Sequence, residues 1–408
     1  MSMDELKRRA EIILEYTDGK ICNHCLGRKF SDIIDGPGNV KRGLNIQKKL
    51  SDEFIFDDTQ CSVCGGVFDK VDAASIRAQE KLEYMDIEYH NFLIGTKIDK
   101  EILARDEELS EKLGIDVETI KKELNRELGL ILEDSLGVEV DFENPEIIIN
   151  VNYKPDKPSI YLMFNPIFIE GRYRKLVRGI PQTKWPCGKC KGKGCESCNF
   201  TGKQYPETVE EFISEPALEM CRGSNAKFHG AGREDIDVRM LGDGRPFVLE
   251  LREPKTRTID LKKLEEIVNN SSNGKVEVQD LKYTYRKRKA EIKVSSPDTY
   301  KVYRAEVELD DEIKEEDLIK LDSLDLIEQR TPNRVSHRRA DKIRKRRVFN
   351  IESEFIDSKH IILTIKGQGG LYIKELISSD EGRSSPSVSS TLGVNALCTQ
   401  LDVIEVGK

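Results

Sequence analysis

Apolar residues recur at helical spacing from Met1 to Lys20, so a charged amphipathic helix opens the sequence. The same period predicts helices over Asp72–Glu83, Ile98–Leu113, Val117–Gly129 and Glu207–Cys221. Asp260 stands at the cap position of another helix that runs through Val268. From Gly137–Asp141 the pattern turns strand-rich. Alternation predicts strands at Ile147–Val151 and Ser159–Met163, joined by a Lys154-Pro155-Asp156-Lys157-Pro158 turn. Further strands are expected over Lys275–Tyr285, Lys301–Val307 and Ile361–Ile365, and Leu371–Leu376 starts a helix approached through Gly367-Gln368-Gly369-Gly370. At the centre, Ile236, Val238 and Met240 alternate with Asp237, Arg239 and Leu241, so residues 232–239 read as a loop entering a strand. Gly242-Asp243-Gly244 reads as a hairpin turn, with Pro246–Leu251 returning. Asp235 therefore stands where a rigid sheet begins, a common position for a reactive group. Taken alone, an ion pair at a strand end is the plainer reading.

The 408 residues are enough for two or three domains, and 38% hydrophobic with 34% charged residues describes a soluble protein with a heavily charged surface. A net charge of −8 excludes a uniformly basic nucleic-acid binder but leaves room for local basic patches. No apolar run approaches the roughly 20 residues that span a bilayer, and the first helix is no signal peptide. No membrane association is expected, and a cytoplasmic location is.

Of ten cysteines, eight fall into four Cys-x-x-Cys pairs. Each pair offers two thiolates, and two pairs complete a tetrahedral site, so a structural zinc is expected at Cys22, Cys25, Cys61 and Cys64. A redox dithiol, needing one pair only, and ordinary buried cysteines are the alternatives. Cys187, Cys190, Cys195 and Cys198 lie close enough to share a second metal, with glycines permitting the reversal. Their first half resembles a zinc repeat of DnaJ type, present once here where a chaperone needs several. Cys221 and Cys398 read as small apolar core residues.

The stretch Gln329–Arg347 carries nine Lys/Arg against a single acid, Asp341. In an acidic protein that imbalance points to an anionic partner, with Arg330, Arg334, Arg338, Arg339, Arg344 and Arg346 as contacts. His337 is expected to touch backbone or phosphate. Arg172, Arg174, Lys175, Arg178 and Lys184 surround Tyr173, and two readings stay open there: a phosphate-binding stretch with a stacking ring, or a solvated linker. Arg286-Lys287-Arg288-Lys289 reads as a solvated strand end, with RNA contact the second reading.

Gly232-Arg233-x-Asp235 opening a strand resembles the catalytic loop of pseudouridine synthases. With Gly244-Arg245-Pro246-Phe247 it resembles one branch closely, the archaeal-type tRNA pseudouridine synthases of the Pus ten family. The resemblance covers essentially the whole chain and is strongest from Trp185 to Val406. Lys301-x-Tyr303-x-Ala305 is similar to the second motif of these enzymes and Gly370-Leu371-Tyr372-Ile373-Lys374 to the third. The resemblance implies that Asp235 is catalytic, that Tyr303 lies against the target base, that Lys374 pairs with Asp235, and that Tyr372 lines the uridine pocket. Many relatives carry Arg at the position of Lys374; Lys keeps the charge and loses the bidentate fork. Leu401 is the candidate apolar wall, with Leu392 competing, and Arg233 could fill the space left by a flipped nucleotide.

The resemblance also implies an α+β architecture: an N-terminal zinc-bearing, THUMP-like α/β domain, then a mixed-sheet pseudouridine synthase catalytic domain. Asn144-Pro145-Glu146 and the Glu170-Gly171-Arg172-Tyr173 exit resemble a THUMP module. The expected divisions are a zinc-knuckle region 1–72, a THUMP-like RNA-binding domain 73–184, and a catalytic domain 185–408 led by the cysteine-rich segment 187–198. The implied partner is tRNA, with uridines fifty-four and fifty-five of the T arm as targets. No organic cofactor and no obligate protein partner is expected. The competing class is a non-catalytic zinc-containing RNA-binding protein, which gives Asp235, Tyr303 and Lys374 no role.

Overall fold

The computed structural model describes residues 3–294, 299–336 and 339–407. Arg338 and His337 of the basic stretch lie outside the described residues. The chain forms two compact units, Met1–Asn165 and Pro166–Lys408.

The first unit runs α1 (Met3–Thr17), α2 (Asn23–Arg28), α3 (Asn39–Leu50), α4 (Val71–Met85), β1 (Asn91–Lys97), α5 (Lys100–Leu113), α6 (Ile120–Leu136), β2 (Glu139–Val140), β3 (Ile147–Tyr153) and β4 (Pro158–Phe164). Its sheet has the order β2-β1-β3-β4, with β1 parallel to both neighbours and β3–β4 antiparallel. The expected helices form, and α6 runs further than its pattern suggested. Asp99 and Thr119 cap α5 and α6 by accepting backbone N–H bonds from Glu101 and Lys122. The central strand β1 lies in a stretch for which no strand was expected.

No division falls at residue 72. One core joins Ile13, Cys25 and Leu26 to Leu109, Leu124 and Ile149. A buried charge network ties the knuckle to the helices. Arg28 Nη2 donates to Asp106 Oδ1 at 2.8 Å, its Nη1 binds the Glu123 carboxylate, and Lys29 Nζ donates to the Asp106 carbonyl at 2.7 Å. Helices α2 and α3 cross at backbone contact. A Cβ on Gly27 would meet the Asn39 carbonyl oxygen at 1.8 Å, so glycine is required there.

The second unit runs β5 (Ile167–Lys175), α7 (Val209–Cys221), β6 (Asn225–Gly230), β7 (Val238–Arg252), α8 (Leu261–Ser271), β8 (Val276–Thr284), α9 (Arg288–Val294), β9 (Tyr300–Leu309), β10 (Leu326–Arg330), β11 (Ile343–Asp357), β12 (His360–Gln368), α10 (Ile373–Ser378), β13 (Ser384–Ser385), α11 (Val388–Leu392) and β14 (Ala396–Val406). A mixed sheet of order β13-β10-β11-β12-β9-β14-β7-β5-β8 carries it, with β6 added to β7. The parallel pair β14–β7 sits in the middle. The boundary falls at 165/166 and not at 184/185, because β5 is wedged between β7 and β8 and is integral to this sheet.

The hairpin expected at Gly242-Asp243-Gly244 does not form. Residues 238–252 are one strand, and residues 241–244 bulge out between its pairings of Met240 with Lys175 and Arg245 with Tyr173. Both glycines have positive φ, and a Cβ on Gly242 would lie 1.9 Å from the Ile404 carbonyl oxygen. The signal for a turn was real, but it marks a bulge.

The basic residues of 171–184 bind within the unit, which fits neither open reading. Arg172 Nε donates to the Asp243 carbonyl at 2.7 Å, Arg174 pairs with Glu277, and Arg178 pairs with Asp402 at 2.7 Å. Arg286 and Lys287 stay exposed just past the end of β8, while Arg288 and Lys289 pair with Glu170 and Glu250 at the start of α9, so the solvated reading holds for the first half of the run only. Cys221 is buried in the core, as expected, and Cys398 packs half-buried against it.

Arg28→Ala leaves Asp106 and Glu123 buried without their shared cation. Chemical denaturation should show a loss of about 3–5 kcal/mol, as for other broken buried pairs. An unchanged midpoint would show that the network does not stabilise the unit.

Candidate active site

The loop 231–237 leads into β7 and is fixed from beneath. Glu234 turns inward and is only 7% exposed. Its carboxylate accepts from Arg245 Nε at 2.9 Å and from Tyr173 Oη at 2.8 Å. Arg245 Nη1 also donates to the Ala231 carbonyl at 2.8 Å. Lys175 Nζ, fully buried, donates to the carbonyls of Asp235 (3.0 Å), Ile236 (3.1 Å) and Ile180 (2.9 Å). Burial drives its pKa down to about 8. Gln182 Nε2 donates to the Gly232 carbonyl at 3.1 Å. Asp235, beside the pinned Glu234, lines a cavity of about 560 Å³ whose wall Glu234 also reaches.

Arg233, Asp235, Tyr303, Tyr372, Lys374 and Leu401 all line that cavity. So do Arg334, Arg339, Arg344 and Arg346 from the basic stretch. Leu392 is not among the lining residues; it is buried in the core on α11. Tyr303 stands on β9 between Ile365 of β12 and Val403 of β14. Burial pushes its hydroxyl up to about 12, with Arg245 opposing and the Asp235 charge adding. Tyr372 caps α10 and is held by Gln329, which donates to its carbonyl and accepts from its N–H, both at 2.9 Å.

The expected pairing of Lys374 with Asp235 is not what the side chains do. Lys374 Nζ donates to Asp237 Oδ2 at 2.5 Å. Burial would raise the Asp237 pKa, but the hydrogen bond and charge of Lys374 outweigh it and the pKa falls. Asp235 Oδ2 instead meets Arg334 Nη1 at 2.7 Å.

The basic stretch is a hairpin of β10 and β11, Arg330 opposite Ile343. Alternation along β11 sends Arg344 and Arg346 to the cavity and leaves Lys345 and Arg347 exposed. Arg330 does not reach the cavity; it pairs with Asp341, the acid of its own run. Arg339 Nη1 donates to Tyr372 Oη at 3.0 Å. Sequence reasoning missed Glu234, Arg245 and Lys301 as parts of this site. Each stands within a motif already quoted but was given no role there, and burial is what reveals them.

Two clusters of four cysteines have their sulfurs within 4.8 Å of one another: Cys22, Cys25, Cys61, Cys64 and Cys187, Cys190, Cys195, Cys198. Four sulfurs about 2.3 Å from a shared tetrahedral centre lie about 3.8 Å apart. The Cys22–Cys64 separation is 3.7 Å, and Cys187–Cys195 and Cys190–Cys198 are 4.0 and 3.9 Å. Backbone N–H groups of Gly194 and Gly202 point at the Cys190 and Cys198 sulfurs, both at 3.2 Å. The donor sets fit a metal, and no sulfur pair is at disulfide distance.

The family model described as "Pus10, C-terminal" matches residues 168–407, and "Pus10 THUMP domain, archaeal" matches 76–152. A tRNA pseudouridine synthase Pus10 of Methanothermobacter marburgensis is 55% identical over 404 residues, 99% of each chain. Its namesake from Methanocaldococcus jannaschii is 43% identical, covering 97% of this chain and 93% of its own. Among solved structures, a Cbf5-Nop10-Gar1 complex aligns at TM-score 0.32 and 18% identity, covering 49% of this chain and 45% of that one. A pseudouridylate synthase aligns at 0.24 and 14%, covering 74% and 87%. No described helix is long and apolar enough to cross a membrane.

Lys301 shares the cavity face of β9 with Tyr303 and is only 7% exposed. Burial and then Arg245 pull its pKa from 10.5 to about 7, against Glu234. A lysine that holds its proton less tightly when folded opposes folding fully below pH 7, and the penalty fades as pH rises toward 10.5. Lys301→Met should therefore raise the melting temperature in mild acid, with the gain shrinking steadily into the alkaline range. A pH-independent change would remove the buried charge as its cause.

Proposed function

The chain belongs to the Pus10 family, as a tRNA pseudouridine synthase, and we propose that it isomerises uridines fifty-four and fifty-five of the T arm with Asp235 as its catalytic carboxylate. The observation that carries the assignment is the convergence of Asp235, Tyr303 and Lys374 from three separate segments on one cavity. In the reaction the C1′–N1 bond breaks, the uracil turns, and a C1′–C5 bond forms. C5 loses a proton and N1 gains one, so no redox partner is consumed. A carboxylate beside C1′ can act as nucleophile or as base, provided it is ionised. The target must first leave its stack, which costs a few kcal/mol. Tyr303 and Leu401 then offer a face and a wall to the base. Arg233, whose guanidinium lies 5.2 Å over the Trp185 ring at the cavity, is placed to fill the gap in the RNA. Arg339, Arg344 and Arg346 supply charge for the phosphates.

The two cysteine clusters are proposed to hold structural zinc, which cross-links each pair of knuckles and takes no part in the chemistry. Purified protein should contain zinc in proportion to two sites, and Cys22→Ser or Cys61→Ser should release about half of it and lower the melting temperature. Metal-free protein that melts unchanged would rule out the structural role.

Asp235→Asn keeps shape and removes charge. With unmodified tRNA, carbodiimide mapping should show turnover abolished while affinity stays near that of the parent. Asp237→Asn should be much milder. Wild-type turnover by Asp235→Asn would reject this site, and pseudouridine elsewhere than the T arm would reject the target.

A further inference from the structure

Arg334 is clasped from two sides. Its Nη1 meets Asp235 at 2.7 Å, while Nε and Nη2 bind the two oxygens of Glu375 at 2.5 and 3.4 Å. Glu375 lies in the first turn of α10 and is 5% exposed, so it is a fixed anchor. Lys374 precedes it on the same helix, and consecutive helical residues point about 100° apart. That divergence sends Lys374 to Asp237 and Glu375 to Arg334. A guanidinium can bridge two carboxylates through separate N–H groups, which an ammonium does with far less control of angle. An arginine meant for phosphate is costly to hold between two carboxylates, because an incoming anion would have to displace both. Burial works against the Arg334 charge, but Glu375 first and then Asp235 more than offset it, and its pKa rises.

Resting on the reading of Asp235 as catalytic, we propose that Arg334 is the cation that holds the Asp235 carboxylate aimed during the reaction, and that Glu375 is a positioning residue that orients Arg334. The basic stretch then has two tasks. Arg339, Arg344 and Arg346 face tRNA phosphates, while Arg334 belongs to the reacting centre.

The test is single-turnover pseudouridine formation with enzyme in excess over tRNA, with tRNA affinity measured alongside. Arg334→Ala should lower the saturated rate on the order of 100-fold, as for loss of a preorganised charge contact, with affinity little changed. Arg334→Lys should restore part of the rate. Glu375→Gln, nearly isosteric, should lower the saturated rate by less, again with affinity little changed, and decides the matter if Arg334→Ala fails to fold. A saturated rate unchanged by Arg334→Ala with weakened affinity would make Arg334 a phosphate ligand and overturn the proposal. So would a saturated rate that Glu375→Gln leaves at the parent value. Full activity in Asp235→Asn would reject the underlying site instead, whatever Arg334 does.

Discussion

The site depends on the buried pair Glu234–Arg245. Both side chains are withdrawn from water, Arg245 to 1% exposure. Desolvating two such charges is expensive, and a pair of this kind is weak evidence of net stabilisation. Its value here is positional. Arg245 lies on β7 and also grips the Ala231 carbonyl, so the loop is tied at both Ala231 and Glu234 to the strand it feeds. Lys175 reaches across from β5 to hold the carbonyls of Asp235 and Ile236. A residue next to a side chain pinned inward has little choice of direction, and Asp235 faces the cavity.

Three carboxylates in four residues would repel one another if left alone. Each has a separate cation, taken from a different segment: Arg245 for Glu234, Arg334 for Asp235 and Lys374 for Asp237. The sheet makes that distribution possible. The parallel contact of β14 with β7 brings Leu401 opposite Val238, and β9 on the other side of β14 brings Tyr303 opposite Val403. Helix α10 and the β10–β11 hairpin then enter from the far half of the same sheet.

The sequence was legible where one residue's chemistry sufficed. Strands β3, β4, β8, β9 and β12 follow from alternation, the Asp260 cap of α8 from local chemistry, and both cysteine clusters from spacing. It was misleading where two outcomes share one signal. Gly-Asp-Gly suits a turn or a bulge, and only the register of β5 against β7 selects the bulge. Lys374 was placed against Asp235 by analogy, but no pattern states which of two nearby aspartates a lysine reaches. Of the basic stretch, sequence gives the charge and not the face. The register of β11 decides that Arg344 and Arg346 turn inward, and Asp341 removes Arg330 from the set.

A protein of net charge −8 and an RNA substrate repel at long range, yet the cavity has the opposite sign. Eight Lys or Arg residues line it, against Glu234, Asp235 and Asp237. At physiological ionic strength charges more than about 8 Å apart are largely screened, so the distant acids contribute little to a phosphate at the cavity mouth. What it meets is the local excess. Burial is what pulls Lys301 and Lys175 toward neutrality, and the charge of Arg245 adds to it. The stability lost by burying them is the other side of a cavity already electropositive before any RNA arrives, where the charges need no reorganisation at the moment of binding.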